Sequence, residues 1–307
     1  MVANDIHSLF SVDGMVAVVT GGGSGLGLYA ARALDANGAK KVYIVGRRKE
    51  VLEEAAKTAK NGNIVPIVGD VTDKDSLTKI TDQIRREEGF VNLVFANAGI
   101  SGPKSRNAIP TLAAGGKPTI KEYQEGLWKP EASEVTNTYH VNVTGVYYTV
   151  VAFLDLLDAG NKKRNLAQDS QVLVTSSIAG FSRFLASGYA YSTSKAAVNS
   201  LVKMFSTTFN QQGFHIRCNV IAPGLYPSEM TTTSMNSLDK FGGVRGHDGA
   251  FEDAHVMKAE NCPAERTGSE QDFAGTVLFF ASKAGAYLNG ETLVSDGGRL
   301  SVLPSTY

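Results

Sequence analysis

The chain has 307 residues, 43% hydrophobic and 20% charged, enough to bury the core of one large α/β domain or two small ones. Thirty basic residues balance thirty acidic ones, which excludes the electrostatic footprint of a nucleic-acid or anionic-membrane binder. Two cysteines, Cys218 and Cys262, are too few for a disulfide framework and point to a reducing compartment.

The opening "MVANDIHSLFSVDG" lacks a charged stretch followed by an apolar core, so it does not read as a signal peptide. No apolar run approaches the ~18 residues that a membrane span needs. The expectation is a soluble, cytoplasmic protein.

The first β-branched run, "MVAVVT" (15–20), leads into "GGGSGLG" and a helix expected over Gly25–Asn37. Gly21, Gly25 and Gly27 allow a tight turn, with the helix N-terminus facing a pyrophosphate. Any tight strand–helix turn can need glycines, and the spacing is not the usual Gly-x-Gly-x-x-Gly. Strand, loop and helix in that order favour nucleotide binding. The second run, "KVYIV" (41–45), ends in Gly46, Arg47 and Arg48, and a helix is expected over Arg48–Lys60. An acid at the end of this strand would bond a ribose 2′-OH, whereas arginines suit a 2′-phosphate. The bland reading is a solvated helix start. A basic pair opposes the dipole at a helix N-terminus, which makes an anion there the better reading.

The third run, "NIVPIV" (63–68), precedes "GDVTD" and a helix over Lys74–Glu88. Asp70 ends that strand at the ligand edge, or else caps the helix. "VNLVFA" (91–96) leads to "NAG", then to a Gly-, Pro- and Lys-rich segment (about 100–131) with the only tryptophan, Trp128. A long helix is expected over Ala132–Asp158, carrying Asn142. "QVLVTS" (171–176) precedes "SIAG" and a helix over Tyr189–Gln212. Tyr191 and Lys195 lie one turn apart on one face of that helix. They are either a packing tyrosine beside a solvated lysine, or a phenol whose pKa the lysine lowers toward neutrality. "IRCNVIA" (216–222) is followed by "PG" and a polar stretch (about 225–263) with His247 and His255, which lack metal-ligand spacing with the cysteines. A last helix, Glu270–Ser282, and a last run, "ETLVSD" (291–296), complete the pattern.

Seven mostly continuous apolar runs alternating with helices imply a Rossmann-type, doubly wound parallel sheet with helices on both faces. No linker or repeat divides the chain, so a single domain is expected, with lid-like insertions at about 100–131 and 225–263 over the ligand edge.

"TGGGSGLG" (20–27), "ANAG" (96–99), Asn142 in "HVNVTG", "SSIAG" (176–180), "YSTSK" (191–195), "APG" (222–224) and "SDGG" (295–298) together resemble the ordered motifs of the short-chain dehydrogenase/reductases. The resemblance runs from about Val12 to Arg299. It implies that Gly21, Ser24, Leu26 and Gly27, with Gly25, line a phosphate loop. Asp70 would reach the adenine ring, with Val71 beside it, and Asn97 and Gly99 would back the adenine ribose. Pro223, Gly224 and Ser228 would border the nicotinamide, and Arg47 and Arg48 make NADP(H) the expected cofactor.

By the same resemblance Tyr191 is the general acid/base, Lys195 lowers its pKa and holds the nicotinamide ribose, and Ser177 polarises the substrate oxygen. Asn142 would anchor a water relaying protons to Lys195, unless it is a core-facing amide. Ser177 precedes Tyr191 by fourteen residues where thirteen is more usual in the family, so Ser176 is a second choice. Tyr189 is expected to be a bystander. The expected activity is reduction of a ketone or oxidation of a secondary alcohol, in a homodimer or homotetramer. Two alternatives are a 3-ketoacyl-thioester reductase, with Lys104, Arg106, Lys117, Lys121 and Lys129 meeting a carrier, and a non-catalytic NADP(H)-binding sensor.

Overall fold

A computed structural model describes residues 4–104, 108–185, 187–241 and 251–307, with the elements α1 (Ile6–Phe10), β1 (Val16–Thr20), α2 (Gly25–Ala36), β2 (Lys41–Gly46), α3 (Lys49–Lys57), β3 (Ile64–Val68), α4 (Lys74–Glu87) and β4 (Leu93–Ala96) in the first third. There follow α5 (Pro110–Ala113), α6 (Ile120–Trp128), α7 (Ala132–Tyr139), α8 (Gly145–Ala152), α9 (Leu154–Lys163) and β5 (Gln171–Thr175). The chain then runs through α10 (Tyr189–Gln211), β6 (Arg217–Pro223), α11 (Thr232–Met235), α12 (Glu270–Ala281), β7 (Thr292–Ser295) and α13 (Arg299–Val302).

The seven strands form one parallel sheet in the order β3-β2-β1-β4-β5-β6-β7. Continuous apolar strands are what this position demands, because every residue of β1, β4, β5 and β6 is buried. Alternate side chains feed two cores. Val16 and Val18 of β1 join Val94, Val172 and Val174 beneath α4, α8 and α10, while Ala17 and Val19 join Leu93, Phe95 and Leu173 beneath α2 and α12. The chain winds outward from β1 to β3, then returns to place β4 on the other side of β1. That reversal opens a crevice at the carboxyl ends of β1 and β4, where ligands of such sheets bind.

One expected element is different. The helix expected over Ala132–Asp158 is three helical pieces: a wider π-type turn, His140–Thr144, separates α7 from α8, and a break at Phe153 bends the chain by 45° into α9, which runs on to Lys163. Its cause is local. The Asn142 amide leaves the helix face to bond the Ile100 backbone, and Gly145 lets Val71 approach so closely that an added Cβ would meet Val71 at 3.0 Å. The other expected helices match to within three residues at either end. Among the described residues no single helix is long and apolar enough to cross a membrane. The segment expected to be a lid at 100–131 contains α5 and α6, the latter opened by a reciprocal Thr119–Glu122 capping box. His247 and Arg106 lie outside the described residues.

Candidate functional site

A cleft of about 550 Å³ lies along the carboxyl ends of the strands. The glycine turn forms its floor. Gly21 has φ +65°, and a Cβ there would stand 3.0 Å from the Ala98 backbone. Only glycine takes that conformation at no steric cost. Ser24 caps α2 without a side-chain hydrogen bond, and no acid occupies the first turn. The helix therefore presents bare N–H groups to the cleft, a fit for a pyrophosphate. Gly25 and Leu26 line the cleft beside it, but Gly27 does not. A Cβ at Gly27 would fall 2.3 Å from the Gly21 carbonyl, so this glycine permits helix and turn to touch rather than contacting a phosphate.

Thr20, which opens the glycine motif, and Thr175, which no motif included, hold this floor. Thr20 Oγ1 accepts from the backbone N–H groups of Asn97 (3.0 Å) and Ala98 (3.1 Å). The Asn97 amide donates to the Thr20 and Gly21 carbonyls, and its oxygen accepts from Thr175. Asn97 lines the cleft, yet its side chain is spent on fastening β1, β4 and β5 to one another rather than reaching toward a ribose.

At the far end stand the two arginines. Arg47 approaches Asp70 to 4.0 Å, and Arg48 donates to Glu229 at 2.7 Å. Glu229, in the loop after β6, carries no motif and was invisible in the sequence. Asp70 is not the cap of α4, a role taken by Asp73. Burial works to raise the Asp70 carboxyl, but hydrogen bonds from the Thr72 N–H and hydroxyl, with the Arg47 charge, hold it below its ordinary value. Val71 lines the cleft next to it.

The near end gathers Ser177, Tyr191 and Lys195. Ser176 also borders the cleft, but its hydroxyl is spent in donating to the Lys195 carbonyl at 3.2 Å. The Ser177 hydroxyl instead reaches the Tyr191 phenol and also accepts from Ala179 N. Gly180 packs this turn onto α10, 2.9 Å from the Ala196 N–H if it bore a Cβ. Lys195 is buried and donates from Nζ to the Thr175 carbonyl at 2.7 Å, 5.8 Å from the centre of the Tyr191 ring. Tyr189 points out of the cleft, half exposed, with its hydroxyl 2.9 Å from that of Tyr123 on α6.

The electrostatics depart from expectation. Burial pushes the Tyr191 phenol above its ordinary 10.0, against a downward pull from the Ser177 hydroxyl. Burial also brings the Lys195 ammonium down to about 8. Burial, rather than the Lys195 charge, sets the direction of the Tyr191 shift here.

Asn142 does not line the cleft. Fully buried in the π-type turn, its Oδ1 accepts from Ile100 N at 2.8 Å, and its Nδ2 donates to Ile100 O and to Ser194 Oγ, each at 3.0 Å. Its amide is committed to protein partners, so it holds the chain after β4 and, through Ser194, the first turns of α10. Both of its N–H donors are committed and Oδ1 already accepts one bond, so a water anchored by this side chain would have only the second lone pair of Oδ1 to bind. Gly99, beside it in the cleft wall, leaves room for the Asn142 and Lys195 side chains.

Pro223 and Gly224 line the cleft where β6 ends, and a Cβ on Gly224 would meet Asp296 at 2.7 Å. Ser228 and Thr231 share a hydrogen bond of 3.0 Å, and Tyr226 bonds Ser295 at 2.6 Å. Both Tyr226 and Thr231 line the cleft; only their position after "APG" hinted at it. Among the described residues no group of three or more His, Cys, Asp or Glu side chains could hold a metal ion. His255 is buried, its backbone N–H bonded to Thr267.

Residues 15–238 match the family model described as short chain dehydrogenase. The chain is 47% identical over 300 residues to "Short-chain dehydrogenase/reductase PhomF" of Diaporthe leptostromiformis, covering 97% of this chain and 96% of that one. It is 27% identical over 296 residues to "Rhamnolipids biosynthesis 3-oxoacyl-[acyl-carrier-protein] reductase" of Pseudomonas aeruginosa, covering 95% and 99%. Among solved structures it resembles "Pseudomonas aeruginosa RhlG/NADP active-site complex" with a TM-score of 0.75 at 26% identity, over 95% of this chain and 99% of that one.

Proposed function

The chain belongs to the short-chain dehydrogenase/reductase family, and from that premise we propose that it is an NADP(H)-dependent reductase of a ketone on a small or medium organic molecule. The observation that carries this reading is the meeting of Ser177, Tyr191 and Lys195 in the same cleft as the bare helix N-terminus and the two arginines. Bound NADPH would supply a hydride to the carbonyl carbon. Tyr191 donates its proton to the carbonyl oxygen, and the Ser177 hydroxyl, already within reach of the phenol, donates a hydrogen bond to the same oxygen as negative charge develops there. A phenol held above its ordinary pKa keeps its proton at neutral pH, as the donor in a reduction must. Lys195 holds its place through the Thr175 carbonyl and offers its remaining donors to the cleft. Arg47, the freer of the two arginines, takes the 2′-phosphate together with Arg48.

A second reading, reduction of a 3-ketoacyl thioester, draws support from the Pseudomonas aeruginosa relative and from exposed Lys104, Lys117, Lys121 and Lys129 in the segment that follows β4. The protein is further proposed to be cytoplasmic and to form a homodimer or homotetramer, through exposed apolar side chains on α7, α8 and α10 such as Tyr139, Tyr147, Val151 and Met204. A panel of ketones and 3-ketoacyl thioesters, followed by loss of NADPH absorbance, tests the activity. Turnover of thioesters alone would select the second reading. No turnover of any member, with NADPH nonetheless bound, would favour a sensor.

A further inference from the structure

Both arginines at the adenine end face carboxylates, but unequally. Arg47 and Asp70 Oδ2 sit at the limit of an ion pair, 4.0 Å apart, while Asp70 Oδ1 accepts from the Thr72 N–H and hydroxyl. Arg48 and Glu229 form a hydrogen-bonded pair of 2.7 Å that joins the β2–α3 corner to the loop after β6. Their side chains are 60% and 59% exposed, so the pair is weak and exchangeable. All four of these side chains border one cleft.

We propose that Glu229 is a specificity-determining residue that competes with the cofactor's 2′-phosphate for Arg48 and so narrows the preference for NADPH over NADH. The inference rests on the NADP(H) reading above. A phosphate dianion arriving here must either displace Glu229 from the guanidinium or settle beside a carboxylate that repels it. NADH carries a hydroxyl at that position and asks nothing of Arg48, so Glu229 taxes only the phosphorylated cofactor. The loop does not depend on this pair for its place. Tyr29 donates to the Pro227 carbonyl, Tyr226 bonds Ser295, and Thr231 donates to the Tyr226 carbonyl.

The test is a set of dissociation constants for NADPH, NADH and 2′,5′-ADP, measured by calorimetry on the wild type, Glu229→Gln, Arg48→Gln and the double variant, at low and high salt. Glu229→Gln is expected to tighten NADPH and 2′,5′-ADP by roughly 3- to 10-fold while NADH changes by less than about twofold. The gain should shrink in high salt and vanish when Arg48 is absent. Weaker or unchanged binding of NADPH and 2′,5′-ADP would overturn the proposal, the weaker result meaning that Glu229 instead orients Arg48 for the phosphate. A gain that extends equally to NADH, or that survives Arg48→Gln, would overturn it as well. A wild type that binds NADH more tightly than NADPH would defeat the cofactor reading itself, and the 2′,5′-ADP arm still reads the competition by Glu229 in that case.

Discussion

Two tyrosines stand two residues apart at the head of α10, and only one of them faces the cleft. Tyr191→Phe removes the proposed proton donor without touching the glycine floor or the arginines. It is expected to abolish most turnover, by 10²-fold or more on the general scale for acid–base groups, with little change in the NADPH dissociation constant. Tyr189→Phe loses only an exposed bond to Tyr123 and should turn over nearly normally. Equal activity of the two variants would remove Tyr191 from its role. Lys195 makes a separate prediction. Its folded-state pKa, about 8, lies below the ordinary 10.5, so the native protein holds this proton less tightly than the unfolded chain. Below about 8 both states are charged and the native state bears the full cost of burial; between the two values it sheds the proton first and that cost fades. The stability gap between Lys195→Met and wild type, measured by urea unfolding across pH 7 to 11, should therefore narrow as pH rises, by up to roughly 3 kcal/mol. A gap that is flat or widens would mean that Lys195 stays protonated throughout.

The strands and the breaks between helices were not equally legible. Strands buried on both faces write themselves as unbroken apolar runs, and each of the seven runs coincides with an observed strand, with ends within two residues of those expected. The π-type turn at His140–Thr144 leaves no such mark: "YHVNVTG" contains no proline, and its helical periodicity continues straight through. What bends it is a partner 42 residues away, the Ile100 backbone held from both sides by Asn142. Glu229 was unreadable for the same reason, since its meaning comes from Arg48 across the cleft. Long-range pairing of this kind has no local signature. If Asn142 acts by clamping that backbone, Asn142→Ala leaves the Ile100 N–H and C=O unpaired and should cost about 2–4 kcal/mol of stability. Urea denaturation would show it as a lower midpoint at unchanged slope. A near-neutral variant would mean that the Ile100 peptide finds other partners, and the clamp would no longer account for the turn.

At the scale of the whole molecule, sheet topology decides where chemistry collects. The reversal between β1 and β4 gathers the ends of β1, β2, β4, β5 and β6 around one crevice, so motifs scattered from Gly21 to Ser228 become neighbours. The order of the motifs carried that information; the outer surface of α8 and α10 carried none. There α8 and α10 leave Tyr147, Val151 and Met204 in solvent, with Tyr147 stacked on the partly buried Phe205. A second copy of the chain could cover this face, and full burial of side chains such as Val151 and Met204 contributes about 1.5–3 kcal/mol each. Val151→Lys with Met204→Lys would instead force charges into that contact. The variant is expected to sediment as a smaller species than the wild type, with NADPH affinity retained because the cleft lies at the strand ends, away from both side chains. A wild type that is already monomeric at micromolar concentration, or a double variant of unchanged mass, would show that these helices do not join subunits.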